Sequence, residues 1–317
     1  MHALVRRASV LLFATLLAAC AQPAATPAPT TAPAPATEQR VVGLVMKSLA
    51  NEFFKNMQDG AIAHVKDRGD LRLIPVGMQS ETDVETQVNA VENFISQKVD
   101  AIVIAPVDSE SLTPVIAKAI EAGIVVVNID VELDPALTKQ YNINPVFVGP
   151  DNREGARLSG EVMAQALGEG GKVVILEGKP EAANAQQRLA GFQDAATAGK
   201  LEVLEVGVAN WEAEQAETVM TELLAKYPDL QGVMASNDSM ALGAAAAIDA
   251  AGLTGKIKIV GFDNIPAVKP LLESGVMLAT VDQFGADMAS NGIDYAMRIL
   301  QGEQLSGWVK TPVELVK

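Results

Sequence analysis

The sequence predicts an α/β protein of two similar lobes, each a parallel sheet covered by helices. Three observations carry this. Short apolar, β-branched runs alternate with longer segments of helical period. About five such units precede residue 148 and about five follow it. Of the 317 residues, 49% are hydrophobic and 20% charged, which suits a sizeable soluble core. The runs are apolar at successive rather than alternate positions, which means strands buried on both faces. Alternating βα units imply right-handed crossovers.

The alternation does not begin at residue 1. Residues 1–20 read as a secretory signal peptide. Arg6 and Arg7 form a basic head, and the run that follows is apolar apart from Ser9 and Thr15. That run is too short to span a bilayer. Leu17-Ala18-Ala19-Cys20 resembles a bacterial lipobox, and Cys20 is the only cysteine of the chain, so it is the expected lipidation site. Residues 21–40 are mostly Ala, Pro and Thr, a composition that favours extended conformations and reads as a tether. A lipid chain would then hold the protein at a membrane without a spanning helix.

The expected strands are 41–46, 71–76, 101–105, 124–129 and 145–148, then 172–176, 201–206, 232–235, 257–260 and 277–281. The helices between them include 52–67, 83–97, 153–167 and 212–227. Acids outnumber bases 39 to 24, a net charge of -15, which argues against a nucleic-acid partner. One cysteine excludes an internal disulfide, and two histidines leave little for a histidine metal site. No metal or cofactor is expected.

In open α/β sheets ligands sit beyond the carboxyl ends of the strands, so the residues there carry the information. Lys47 and Asn51 follow the first run, together with Phe53-Phe54, an adjacent pair in a chain that is only 4% aromatic. Asp108 or Ser109 after the third run could cap the next helix. Asp130 ends the fourth run and is either a ligand contact or a loop anchor. In the second half Arg188 lies near a helix start, Trp211 opens a helix, and after Ser236-Asn237 either Asp238 or Ser239 could cap the next helix. Asp263 and Gln283 end the last two runs. Amides, carboxylates, one Arg and three aromatics at strand ends suit a neutral, polyhydroxylated ligand.

These residues stand in segments that resemble a known family. From residue 41 to 317 the chain resembles bacterial periplasmic sugar-binding proteins of the ribose-binding type, including the allose-binding branch. The resemblance is carried by Asn51-Glu52-Phe53-Phe54, by Arg188-Leu189-Ala190-Gly191-Phe192 and by Asn237-Asp238-Ser239-Met240-Ala241-Leu242-Gly243. Val260-Gly261-Phe262-Asp263 and Val281-Asp282-Gln283 complete it. It implies two Rossmann-like lobes with parallel sheets, joined by a hinge of three crossings and closing on a ligand. The implied lobes are residues 41–148 with 284–309, and 149–283 with 310–317. It also implies hydrogen-bonding roles for Asn51, Asp130, Arg188, Asn237, Asp263 and Gln283, and stacking roles for Phe53, Phe54 and Trp211.

Two departures bear on the ligand. Val131 stands where ribose binders carry an Arg, and Lys47 looks like the allose-type Lys. A site built on specific hydrogen bonds rejects ligands that leave its groups unpaired. The expectation is therefore a hexose, another pentose or a sugar alcohol in preference to ribose.

The expected function is the extracytoplasmic solute-binding component of an ABC importer, without catalysis. It would be a lipid-anchored monomer that captures a monosaccharide or polyol and delivers it to a membrane permease. The alternatives are a ligand carrier for a chemoreceptor or sensor kinase, and a glycosidase using Asp130 and Asp263 as paired carboxylates. A sugar-responsive repressor would need a basic helix-turn-helix at the N-terminus, where this chain has a signal and a tether.

Overall fold

The computed structural model describes residues 39–317. The expected signal peptide, Cys20 and all but the last two residues of the tether lie outside the described residues. The first half runs β1 (Arg40–Ser48), α1 (Glu52–Arg68), β2 (Leu71–Met78), α2 (Val84–Gln97), β3 (Ala101–Ile104), α3 (Thr113–Glu121), β4 (Val125–Ile129), α4 (Pro135–Gln140) and β5 (Val146–Pro150). The second runs α5 (Asn152–Leu167), β6 (Lys172–Glu177), α6 (Ala183–Gly199), β7 (Glu202–Val208), α7 (Ala213–Lys226), β8 (Gly232–Ala235), α8 (Asp238–Ala250) and β9 (Lys258–Val260). It continues through α9 (Lys269–Glu273), β10 (Met277–Asp282), α10 (Gly285–Leu300), β11 (Trp308–Thr311) and β12 (Glu314–Val316).

Two six-stranded sheets result, in the orders β11-β5-β4-β3-β1-β2 and β12-β10-β9-β8-β6-β7. Apart from β11 and β12, which stand at one edge of each sheet, the two orders are the same unit repeated. Every pairing in the first sheet is parallel. In the second only β12 runs antiparallel, against β10. Pro75 lies in β2, an edge strand, where its missing N–H breaks no ladder on the open side.

Alternation along the strands explains the continuous apolar runs. Val42, Leu44 and Met46 of β1 pack with Met57 of α1 and Ile293 of α10. Val45, between them, packs with Phe94 of α2 and Ile116 of α3 on the opposite face. In β6, Val174 and Leu176 join one core while Val173 and Ile175 join Met163 of α5 and Phe192 of α6. With helices on both faces nearly every position of the inner strands is buried, so no polar alternation survives there.

The chain passes between sheets three times: after β5, between β10 and α10, and between β11 and β12. The implied boundaries at 148/149 and 309/310 fall inside β5 and β11, and that at 283/284 falls between β10 and α10. The two short C-terminal strands escaped the sequence reading. They are only 4 and 3 residues long and are half exposed, so no apolar run marks them.

Candidate functional site

The carboxyl ends of the two sheets meet around one cavity. It is lined by Lys47, Asn51, Phe53, Phe54 and Asp130 of the first half, and by Asn184, Arg188, Trp211, Asn237, Asp263 and Gln283 of the second. All ten residues read from the sequence stand there. Asn184 was missed as a site residue, although its place four positions before Arg188 puts it on the same face of α6.

Local structure sets each side chain. Lys47 lies within β1, which extends two residues past the apolar run to Ser48. Asn51 is the N-cap of α1: its Oδ1 accepts from the Phe53 N–H at 3.0 Å. The same helix start brings Phe53 and Phe54 to the cavity, edge to face at 5.0 Å between centroids. Asn237 is likewise the N-cap of α8, accepting from the Met240 N–H at 2.9 Å while Nδ2 donates to the Trp211 carbonyl at 3.2 Å. Capping thus falls to Asn237, not to Asp238 or Ser239. Asp238 instead accepts from the Thr280 hydroxyl and the Ile265 N–H.

Two further expectations are corrected. Trp211 does not open a helix. It sits in a turn at φ 71°, and α7 begins at Ala213. Asp108 does not cap α3: it accepts from the N–H groups of Glu110 and Ser111, before the helix, and from Lys179 Nζ at 2.7 Å. Asp108 follows β3 and Lys179 follows β6, strands of different sheets, so this ion pair crosses the cleft, as do the bonds from Ala183 N–H to Ser109 Oγ and from Ala267 N–H to Glu52 Oε2. The lobes are held together on both sides of the cavity.

The aromatic walls are rigid. The backbone of Gly178, just after β6, lies flat on the indole of Trp211. A Cβ there would come within 2.2 Å of the ring. Lys47 Nζ stands 5.2 Å from the Phe54 centroid and 5.4 Å from that of Trp211. Arg188 stacks 3.7 Å from the Phe262 centroid.

The charges are buried and only partly matched. Arg188 donates to Asn152 Oδ1 at 2.8 Å and to the Ser236 carbonyl at 2.9 Å, and reaches Asp263 at 3.5 Å. Gln283 Nε2 donates to Asp263 Oδ1 at 2.7 Å. Lys47 pairs at 3.0 Å with Glu81, a buried acid that the sequence reading did not single out. Burial pushes Asp263 up to about 7 against the opposing pull of Arg188 and Gln283. Burial raises Asp130 too, despite Lys47 and Arg188, and raises Glu81 despite Lys47 and Asn51. It lowers Arg188 against the pull of Asp263 and Asp130.

Four buried polar atoms of these lining residues make no hydrogen bond within the protein: Asp130 Oδ2, Asn184 Oδ1, Gln283 Oε1 and Trp211 Nε1. Buried polar groups are nearly always partnered. Three acceptors and one donor are thus presented to whatever occupies the cavity. Among the described residues, no group of three or more His, Cys, Asp or Glu is arranged to hold a metal ion.

Comparisons agree with this geometry. Residues 42–304 match a family model described as a periplasmic binding protein domain. A D-ribose/D-allose-binding protein of Pseudomonas aeruginosa is 49% identical over 284 residues, covering 88% of this chain and 89% of that protein. An ABC transporter solute-binding protein of Burkholderia multivorans superposes with a TM-score of 0.86 at 48% identity, over 89% of this chain and 100% of that one. A periplasmic solute-binding protein of Actinobacillus succinogenes, solved with bound D-allose, gives 0.82 at 34% identity, over 88% and 97%.

Proposed function

The chain belongs to the periplasmic binding protein family, and on that premise we propose that it is the solute-binding component of an ABC importer for a neutral monosaccharide or sugar alcohol. The observation that carries the ligand class is the set of four unpartnered atoms around the cavity. A sugar hydroxyl both donates and accepts, so one small polyol satisfies three acceptors and an indole N–H at once. Its C–H faces lie against Phe53, Phe54 and Trp211, as apolar surface against aromatic rings. A carboxylate or phosphate fits less well, because it would place negative charge beside Asp130, whose Oδ2 has no donor of its own. The relatives named for ribose, allose or bound D-allose support the same class.

Capture works by closure. The moving bodies are residues 41–148 with 284–309 and residues 149–283 with 310–317, with hinge strands at the ends of β5, β10 and β11. The ligand bridges Lys47, Asn51 and Asp130 on one lobe to Asn184, Arg188, Asn237, Asp263 and Gln283 on the other. Bonds that need both lobes together, such as Lys179–Asp108, then form as well. The closed form presents both lobes at once to a permease. A lipid on Cys20 and the tether to residue 40 keep the protein outside the cytoplasm and near that partner, as a monomer.

The test is a thermal-shift screen of pentoses, hexoses and polyols, including D-ribose and D-allose, followed by titration calorimetry. A ligand that binds only the folded state raises the melting temperature by mass action. One or a few neutral sugars with a stoichiometry of one are expected. No shift from any of them, or release of monosaccharide from an incubated disaccharide, would overturn the reading.

A further inference from the structure

We propose that Glu81 is a positioning residue that aims the first lobe's polar groups at the ligand and ties them to lobe closure through Glu212. Glu81 lies in the irregular segment between β2 and α2, with no place in a helix or strand. It is nevertheless only 1% exposed. Its carboxylate does two things at once. One oxygen stands 3.0 Å from Lys47 Nζ, and the other accepts from Asn51 Nδ2 at 2.9 Å.

Both neighbours line the cavity, and each is left with spare donors. An ammonium has three N–H groups, and the contact of Lys47 with Glu81 Oε2 is an ion pair in which that oxygen accepts no hydrogen bond. The Asn51 amide is pinned at both ends, by the Phe53 N–H and by Glu81, so one N–H remains free in a fixed direction. A buried lysine without a counter-ion is strongly unfavourable. Glu81 therefore makes a cationic donor possible in a cavity whose ligand is neutral.

The backbone of the same residue faces the other lobe. The Glu81 N–H donates to Glu212 Oε1 at 2.9 Å. Glu212 follows Trp211, the aromatic wall of the second half, and does not line the cavity. The two residues follow β2 and β7, edge strands of different sheets, so their bond exists only when the lobes are together. A loop held by few bonds of its own is fixed in this way at the moment the cavity closes.

The role rests on the sugar-binding reading only for its affinity measurements. These use D-allose and D-ribose as probes on the full protein. Glu81→Gln keeps an oxygen for Asn51 but sets an amide against the ammonium. Affinity should fall about tenfold or more, on the scale of one charged hydrogen bond. In a Lys47→Met background the same change should have little further effect, since the two residues act as a pair. Melting temperatures of the same four proteins without ligand should show the same non-additivity. Glu212→Ala should speed ligand release about tenfold with an unchanged association rate, and Glu212→Gln, which keeps an acceptor oxygen, should restore it. Additive melting effects of Lys47→Met and Glu81→Gln would overturn the pairing. An unchanged release rate in Glu212→Ala would overturn the coupling. If the wild type binds no sugar at all, the transport reading fails while the melting cycle still decides the pairing. Should Glu81→Gln fail to fold, the Glu212 variants decide the coupling.

Discussion

Asp130 and Asp263 occupy equivalent places in the two lobes and are in different states. Asp130 follows β4, takes a positive φ of 65°, and donates its N–H to Val148 of β5 at 3.1 Å. Asp263 follows β9, takes a positive φ of 118°, and donates its N–H to Val281 of β10 at 2.7 Å. The repeated sheet order therefore delivers the same residue type at a positive φ on both sides of the cleft, though in different backbone conformations. Their neighbours differ. Asp263 accepts from Gln283 and meets Arg188, whereas Asp130 Oδ2 has no donor in the protein. The difference teaches that backbone symmetry places the carboxylates, while unrelated side chains decide how much of each is left for a ligand.

The largest effect should separate the two. Asp130→Ala should weaken sugar binding roughly 100-fold, since charged hydrogen bonds contribute about 1.5–3 kcal/mol and the ligand is the sole donor to Oδ2. Asp263→Ala should lose roughly tenfold, because part of its acceptor capacity is committed to Gln283 and Arg188. Titration calorimetry on both variants decides the order. A greater loss in Asp263→Ala would show that the partnered carboxylate, not the free one, dominates recognition.

The unliganded protein offers a second comparison. Burial outweighs Lys47 and Arg188 at Asp130, so its charged form is disfavoured in the folded state. Asp130→Asn should then raise the melting temperature at pH 8 by a few degrees while binding weakens. A lowered melting temperature would mean that the carboxylate is needed to hold Lys47 and Arg188 in place.

The fold was readable because each βα unit repeats a local pattern that the buried sheets enforce. Val42, Leu44, Val45 and Met46 are apolar in succession because helices cover both faces. β11 and β12 were not readable. They are short edge strands whose partners, β5 and β10, lie far away in sequence. In the site, residues directly after buried strands stood out because a polar group there breaks an apolar run. Glu81 did not, since it sits in Gln79-Ser80-Glu81-Thr82-Asp83, a polar loop where one more acid is unremarkable in sequence. Its meaning comes from Lys47 and Asn51, which are 34 and 30 positions away and meet it only in space.

Protonation sharpens the comparison further. Asp263 is raised from 3.8 to about 7, so between about pH 4 and 7 the folded state holds a proton that the unfolded chain has released. Its contribution to stability is full below about pH 4 and is lost as pH rises to about 7. Sugar hydroxyls donating to the ionised carboxylate reverse that sense for binding. Affinity should be about tenfold weaker at pH 6 than at pH 8, following the ionised fraction. Asp263→Asn should flatten the profile. A wild-type dissociation constant that stays level across this range would show that the ligand does not use the ionised form.

The smallest expected effect concerns the unpartnered indole donor of Trp211. The Trp211 indole has Gly178 on one face and an Nε1–H that no protein atom accepts. Trp211→Phe keeps an aromatic face against the ligand while it removes that donor and part of the indole's area. A neutral hydrogen bond contributes about 1 kcal/mol, so affinity should fall about fivefold, well short of the loss at Asp130. The smaller ring also frees space over Gly178, so Gly178→Ala, which should crowd Trp211 into the cavity, should be tolerated in the Trp211→Phe background. Calorimetry on the two single variants and the double variant tests both points. If Trp211→Phe loses as much as Asp130→Ala, the indole donor ranks with the free carboxylate, and the contrast between the lobes lies in their hydrogen-bond donors as much as in their acids.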